Sequence, residues 1–216
     1  NLLNIQIPVP PKDIQQKIVN EMEKIEKNEN DNVDKIKALE EEINDIVLKA
    51  NNQLKGKFND FATLEYGAGL PEKNRIKGEF PVMGSNGIVG YHNEYLIKGP
   101  AIIIGRKGSA GKIVFEEKNC HPIDTAFYVK LKNDNIPLKY FYYYIKTLNL
   151  EKLGAGVGVP GLNRNDVQDI LISLPSFEEQ KKLIAIIDKK EQEIEKLKLA
   201  LSTVDAEKEE VLKKYL

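Results

Sequence analysis

Tryptophan is missing from this sequence, cysteine occurs once (Cys120), histidine twice (His92, His121) and arginine three times. A single cysteine excludes an internal disulfide and fits a reducing compartment, so the expected setting is cytoplasmic. Two histidines and one thiol are too few for an all-protein zinc site, and no metal or other cofactor is expected. No run of eighteen apolar residues occurs, which leaves no candidate membrane span and no expected membrane partner. The first residues, Asn1 to Asn4, lack the basic-then-apolar layout of a signal peptide and lack an initiator methionine. A processed chain, or a piece of a longer one, is therefore expected. A dominant charge is missing too: 32 Lys and Arg stand against 33 Asp and Glu over 216 residues, a net charge of −1. With 41% hydrophobic residues the chain can build a core, so wholesale disorder is not expected.

The near-neutral total hides a division. Residues 56–175 carry 15 basic and 12 acidic side chains, whereas the flanks carry 17 and 21. All three arginines (Arg75, Arg106, Arg164) lie in the middle segment. Between positions 73 and 112 seven basic residues (Lys73, Arg75, Lys77, Lys98, Arg106, Lys107, Lys112) face two acidic ones, Glu79 and Glu94. Such a patch inside a neutral chain suits local anion binding, and equally a solvated loop surface.

The flanks read as helices. Ile18, Met22, Ile25, Glu29, Asn32, Ile36, Leu39, Ile43, Ile46 and Ala50 advance by steps of four and three, an a/d seam with a polar interruption. No Gly or Pro falls between Lys12 and Lys55, so one helix is expected over 12–55. A second is expected over 176–216. Its seam holds Leu183, Ile187, Lys190, Ile194, Leu197, Leu201, Val204, Lys208, Val211 and Tyr215, and Ser176 with Glu179 forms a capping box. Two long striped helices of matched length should pair antiparallel as a coiled coil.

The flanks also repeat each other at an offset of 165: Ile5, Ile7, Val9 and Pro10 match Ile170, Ile172, Leu174 and Pro175, and Gln15 matches Gln180. A strand–Pro–helix junction thus occurs twice, with residues 1–11 read as the end strand of a preceding repeat unit. A fragment or a half-length form is the expectation. The segment 56–175 between them is rich in Gly, β-branched residues and tyrosine, with short apolar runs at 100–105 and 126–131 bounded by turn residues. It reads as a compact strand-rich α+β domain with one helix near 138–148, whose tyrosines serve mainly as core.

Several motifs invite chemistry. Gly105 to Lys112 fails as a phosphate loop, because Arg106 and Ile113 stand where Gly and a hydroxyl residue are required. What remains is a basic, glycine-rich turn after a buried strand, bringing backbone amides and cations to one place. Glu116 and Lys118 match half of a metal-dependent nuclease, but no Asp occurs between residues 61 and 115 to complete it. No Asn-Pro-Pro-aromatic or Asp-Pro-Pro-aromatic motif is present, nor a credible cofactor-binding βαβ unit, so methyl transfer to an amino group by this chain alone is not expected. Ser85, Ser109, His92 and His121 contain the parts of a nucleophile–base pair without a spacing that joins them. The turn Ser85-Asn86-Gly87 offers Asn86 as a bidentate partner for adenine, although Asn-Gly more commonly marks a hairpin turn. A glycine loop from Gly154 ends on Asn163 and Arg164, with Asn165 or Asp166 read as the cap of a short helical turn.

Taken in order, residues 84–87, 105–111, 123–127, 140–144, 161–166 and 174–180 resemble the DNA-specificity subunits of type I restriction-modification systems. The resemblance spans nearly the whole chain, with one recognition domain where the family carries two. It implies an α+β fold: one compact strand-rich target recognition domain at the end of a long antiparallel two-helix coiled coil. It implies a non-catalytic subunit that reads one half of a bipartite site in double-stranded DNA. The helices would dock methyltransferase subunits and, through them, the restriction subunit. A homodimer is left open. On this reading Lys73, Arg75, Lys77, Arg106, Lys107 and Lys112 hold phosphates, and Ser85, Asn86, Ser109, Asn163 and Arg164 contact bases or sugars. The alternatives are a coiled-coil scaffold or orphan half-subunit that binds no DNA and mediates protein–protein assembly, and a nuclease using Glu116 and Lys118.

Overall fold

The computed structural model describes residues 9–154 and 161–215, so residues 1–8 of the expected end strand and residues 155–160 of the glycine loop lie outside the described residues. The chain opens with helix α1 (Lys12–Leu48), strand β1 (Asn52–Lys57), a single turn α2 (Phe58–Phe61) and β2 (Ala62–Tyr66). After a 3-10 turn at Glu72–Asn74 come β3 (Phe80–Gly84), β4 (Gly87–His92), β5 (Ala101–Gly105) and β6 (Ile113–Glu116). The short β7 (His121–Pro122), β8 (Ala126–Leu131), α3 (Leu138–Lys146), α4 (Glu151–Gly154), α5 (Arg164–Gln168) and β9 (Leu171–Pro175) follow. Helices α6 (Phe177–Ser202) and α7 (Val204–Tyr215) close the chain. Two compact units result, residues 1–43 with 187–216, and residues 44–186.

In the helical unit, burial selects the seam read from the sequence. Every seam position from Ile18 to Ile43 and from Ile187 to Tyr215 is buried or half-buried, and most residues between them are exposed. Ile43, Ile187, Ile194, Val204 and Val211 are the most deeply covered. Ion pairs join the helices with numbers falling on α1 as they rise on its partners: Glu42 with Lys190, Glu29 with Lys208 (2.8 Å), and Glu21 with Lys214 (2.8 Å). The helices therefore run antiparallel. The polar interruption at Glu29 has a reason: it meets Lys208, the polar seam position of α7. Pairs this exposed add little stability, but a misaligned register would bury each charge against apolar side chains.

Two boundaries differ from the sequence reading. Helix α1 stops at Leu48 rather than Lys55, because residues 52–57 find a strand partner in β9, with Lys57 opposite Leu171. The second helix is broken at Thr203. There the hydroxyls of Ser202 and Thr203 donate back to the carbonyls of Leu199 (2.7 Å) and Ala200 (2.9 Å), the competition with the helical ladder that bends helices at such residues. Ser176 does cap α6, its Oγ accepting from the Glu179 amide at 3.3 Å. The repeated junction is also physical: Gln15 Nε2 donates to the Pro10 carbonyl (2.7 Å) and Gln180 Nε2 to the Pro175 carbonyl (2.8 Å).

The strand-rich unit is built from three sheets. Besides the β1–β9 pair there is a four-stranded antiparallel sheet, β2-β8-β5-β6, and a three-stranded one, β4-β3-β7, whose β3–β7 pairing is parallel. All five residues of β5 are buried, as the apolar run 100–105 requires for a strand inside its sheet. Helix α3 supplies Tyr140 and Phe141, both fully buried, and Phe141 meets Phe58 with ring centroids 5.5 Å apart. The Tyr144 hydroxyl accepts from the Ser173 amide at 2.9 Å, tying α3 to β9. The tyrosines of α3 are thus mostly core, as their spacing implies.

Candidate nucleic-acid interface

Three loops at the ends of these strands meet in one place. The hairpin β3–β4 turns through Ser85 and Asn86, with Gly84 opposite Gly87. The loop 105–112 packs directly on it. A Cβ at Gly105 would lie 2.1 Å from the Ser109 carbonyl oxygen and 2.6 Å from that of Ser85, so only glycine permits this approach. Lys112 Nζ donates to Asn86 Oδ1 at 2.6 Å, which occupies the acceptor that an adenine contact would use. The third loop joins through Leu162, whose amide donates to the Arg106 carbonyl (2.8 Å), and through a bridge between Lys107 and Gly161.

The loop 105–112 does not work as the amide cradle its composition suggests. The amides of Arg106 and Lys107 both donate to the Thr125 carbonyl, at 2.9 and 3.2 Å. Those of Gly105, Ala110, Gly111 and Lys112 close bonds within the loop. The turn presents side chains, and its main chain is largely spent on holding its own shape.

Those side chains converge on Tyr66, the last residue of β2. The guanidinium carbon of Arg106 lies 4.9 Å from the Tyr66 ring centroid and that of Arg164 lies 5.1 Å from it. Arg106 also sits 5.9 Å from the Phe127 ring and donates from Nη1 to the Asp124 carbonyl at 3.0 Å. Around this stack is an open cavity of about 370 Å³ lined by Tyr66, Arg106, Lys107, Asn163, Arg164 and the backbone at 161–162. Among the described residues, no acidic side chain lines it. A second hollow of about 300 Å³ lies along Ser109, Lys112 and Glu151. Asn163, not Asn165 or Asp166, caps α5: its Oδ1 accepts from the Asn165 amide at 2.8 Å.

The structure thus gathers Ser85, Asn86, Arg106, Lys107, Ser109, Lys112, Asn163 and Arg164 into one loop cluster. Arg75 is used otherwise. Its guanidinium donates to the carbonyls of Val89 (2.7 Å) and Leu70 (3.3 Å), fastening the preceding turn to β4. Lys73 and Lys77 flank it as exposed side chains with no described bond into the cluster. Tyr66 is the site residue that the sequence reading missed. Its only signal was position, an aromatic at a strand end followed by Gly67-Ala68-Gly69.

The model of the type I restriction modification DNA specificity domain family matches residues 52–201. This chain belongs to that family. The match begins at β1 and runs into α6, so it contains the whole loop cluster of this specificity domain. The type I restriction enzyme EcoprrI specificity subunit of Escherichia coli is 28% identical over 111 residues, covering 51% of this chain and 27% of that protein. The fold is similar to that of the type I S subunit from M. genitalium (TM-score 0.71, 20% identity, 95% of this chain and 61% of that one). It is also similar to the HsdS subunit from Thermoanaerobacter tengcongensis (TM-score 0.59, 17% identity, 97% and 59%). The specificity domain described here therefore spans about a quarter of the curated relative and about three-fifths of the two solved chains.

The other motifs settle into structural roles in this specificity domain. Glu116 Oε1 accepts from the Lys118 amide at 2.9 Å and closes the turn after β6. His92 Nδ1 accepts from the Ile76 amide at 3.0 Å, and its ring meets that of His121 at 6.0 Å. Among the described residues, no hydrogen bond joins either histidine to Ser85 or Ser109. Burial holds His121 below the ordinary imidazole range, and burial with Glu116 nearby pushes the Cys120 thiol up to about 12, an unreactive thiol at neutral pH.

Proposed function

We propose that this chain is a sequence-reading module of a type I restriction-modification complex, which binds one part of a bipartite site in double-stranded DNA and performs no chemistry itself. The observation that carries the reading is the cavity around Tyr66, where Arg106, Lys107, Asn163 and Arg164 gather from two loops with no acidic side chain among the described lining residues, beside a third loop joined through Lys112 and Asn86. Phosphate contacts supply affinity and register, and side chains on such loops supply base readout. Lys107 and Lys112 are the phosphate contacts at the loop cluster, and Lys73 and Lys77, exposed on the turn fastened by Arg75, are further ones. Ser85, Asn86, Ser109, Asn163 and Arg164 contact base or sugar edges, the two asparagines through their amide nitrogens because their Oδ1 atoms are taken. Arg75 and Arg106 act mainly by shaping the surface.

The residues 12–48 and 177–215 serve as spacer and as docking surface for methyltransferase subunits, which bring the restriction subunit. A second recognition domain, from a longer chain or a second copy, supplies the other half-site. The complex works in the cytoplasm. Duplex binding by the full chain with methyltransferase subunits, titrated against salt, tests this. Replacing Lys107 and Lys112 by Ala should weaken binding at every sequence and reduce the slope of log K against log salt by about 1 per lysine. An unchanged slope removes these lysines from the interface.

A further inference from the structure

The chain holds 29 lysines and only three arginines, and two of the three lie against the same tyrosine. Lysine suffices wherever a positive charge alone is wanted, so arginine marks places where its planar fork matters. The forks of Arg75 and Arg106 are accounted for by bonds to the carbonyls of Leu70, Val89 and Asp124. That of Arg164 is not. Among the described residues it makes no hydrogen bond and no ion pair, its Nε is buried without a partner, and its guanidinium is held by the face of Tyr66.

We infer that Arg164 is the guanine-reading residue of this domain, with its fork directed to the O6 and N7 acceptors of one guanine in the major groove. The inference rests on the DNA-recognition reading and assigns a base to part of that interface. Two features favour a base edge over a phosphate, and one selects guanine among the bases. The fork is half-buried and stacked, so its direction is set before DNA arrives, which serves bidentate geometry more than simple attraction. The remaining lining brings donors: Asn163 Oδ1 is taken by the Asn165 amide, which leaves its amide nitrogen, and Lys107 is a cation. A pocket of donors requires a ligand edge made of acceptors, and guanine alone presents two adjacent ones in the major groove. Finally, Lys107, exposed at the cavity wall, already offers a cation for a phosphate. Arg106, held at Tyr66, Phe127 and the Asp124 carbonyl, is a positioning residue in contact with the same tyrosine ring as Arg164.

The test is selection from a randomised duplex pool by the full chain with methyltransferase subunits, comparing the natural protein with Arg164→Lys and Tyr66→Ala. Arg164→Lys keeps the charge and loses the fork. The expected result is that preference for guanine at one position falls roughly 10- to 100-fold while other positions and the salt slope are unchanged. Tyr66→Ala removes the face that holds the Arg164 guanidinium and should lower the same guanine preference. Circular dichroism and a thermal melt of Arg164→Lys check that the domain is folded. If it is folded and selects the same guanine-containing motif, the inference is wrong. If Arg164→Ala instead weakens all sequences uniformly and lowers the salt slope by about 1, Arg164 is a phosphate contact and the inference is wrong while DNA recognition stands. A natural protein that selects no sequence overturns both.

Discussion

The helical unit and the strand-rich unit are specified in different ways. In the first, burial is thin and evenly spaced: one covered side chain every three or four residues, from Ile18 to Ile43 and from Ile187 to Val211. Each contact repeats its neighbour's design, and charged pairs such as Glu29 with Lys208 distinguish one alignment from the next. In the second, burial is concentrated in Phe58, Leu64, Met83, Phe127, Tyr140, Phe141 and the isoleucines of β5, all drawn from distant parts of the chain. A stripe can be read from periodicity alone. An enclosed core cannot, since which strand lies beside which depends on the whole topology.

The comparison can be broken at its strongest point first. Phe141→Ala, which opens a cavity beneath Phe58, should destabilise the strand-rich unit by about 3–5 kcal/mol in urea unfolding, beyond any single change in the helices. Ile194→Ala in the helical seam should cost about 2–3 kcal/mol by the same measurement, less because the layer there is only two helices thick. If Ile194→Ala proves the costlier change, the contrast in core depth is wrong. Ser176→Ala removes the cap of α6 and should cost about 1 kcal/mol.

The smallest effect is electrostatic and depends on pH. Hydrogen bonds from Lys214 and Tyr215 hold the Glu21 carboxyl below its ordinary 4.5, so its contribution is present above that value and is lost as pH falls through the folded value. The same bond raises Lys214 above its ordinary 10.5, so that contribution is lost as pH rises through the folded value. Glu21→Gln should lower the thermal midpoint of the helical signal at pH 7. The difference from the natural protein should shrink on acidification below about 4.5.

How much was legible follows the same division. The seam, its polar interruption and the repeated Pro–Gln junction were all visible in the sequence, because each is a relation between residues a few positions apart. The end of α1 was not, since residues 52–57 are diverted into a strand by β9, more than a hundred residues away. Nor was the break at Thr203, where two hydroxyls compete with the ladder from inside an unbroken stripe. Composition correctly marked the basic loop 105–112 as a meeting point but misjudged what it presents. Most of its amides are consumed by Thr125 and by the loop itself. Tyr66 escaped notice because its importance comes from two arginines 40 and 98 positions later, which the fold brings against it.

The pairing of β1 with β9 has a consequence for how such a module changes over time. The chain arrives at the reading unit and departs from it side by side, clasped by Lys57 with Asp169 and by the Phe58 amide on the Ile170 carbonyl. Whatever lies between those two rungs is a cassette. Recombination that exchanges the interior while keeping this clasp would install a new target in one step, without asking the flanking helices to adapt.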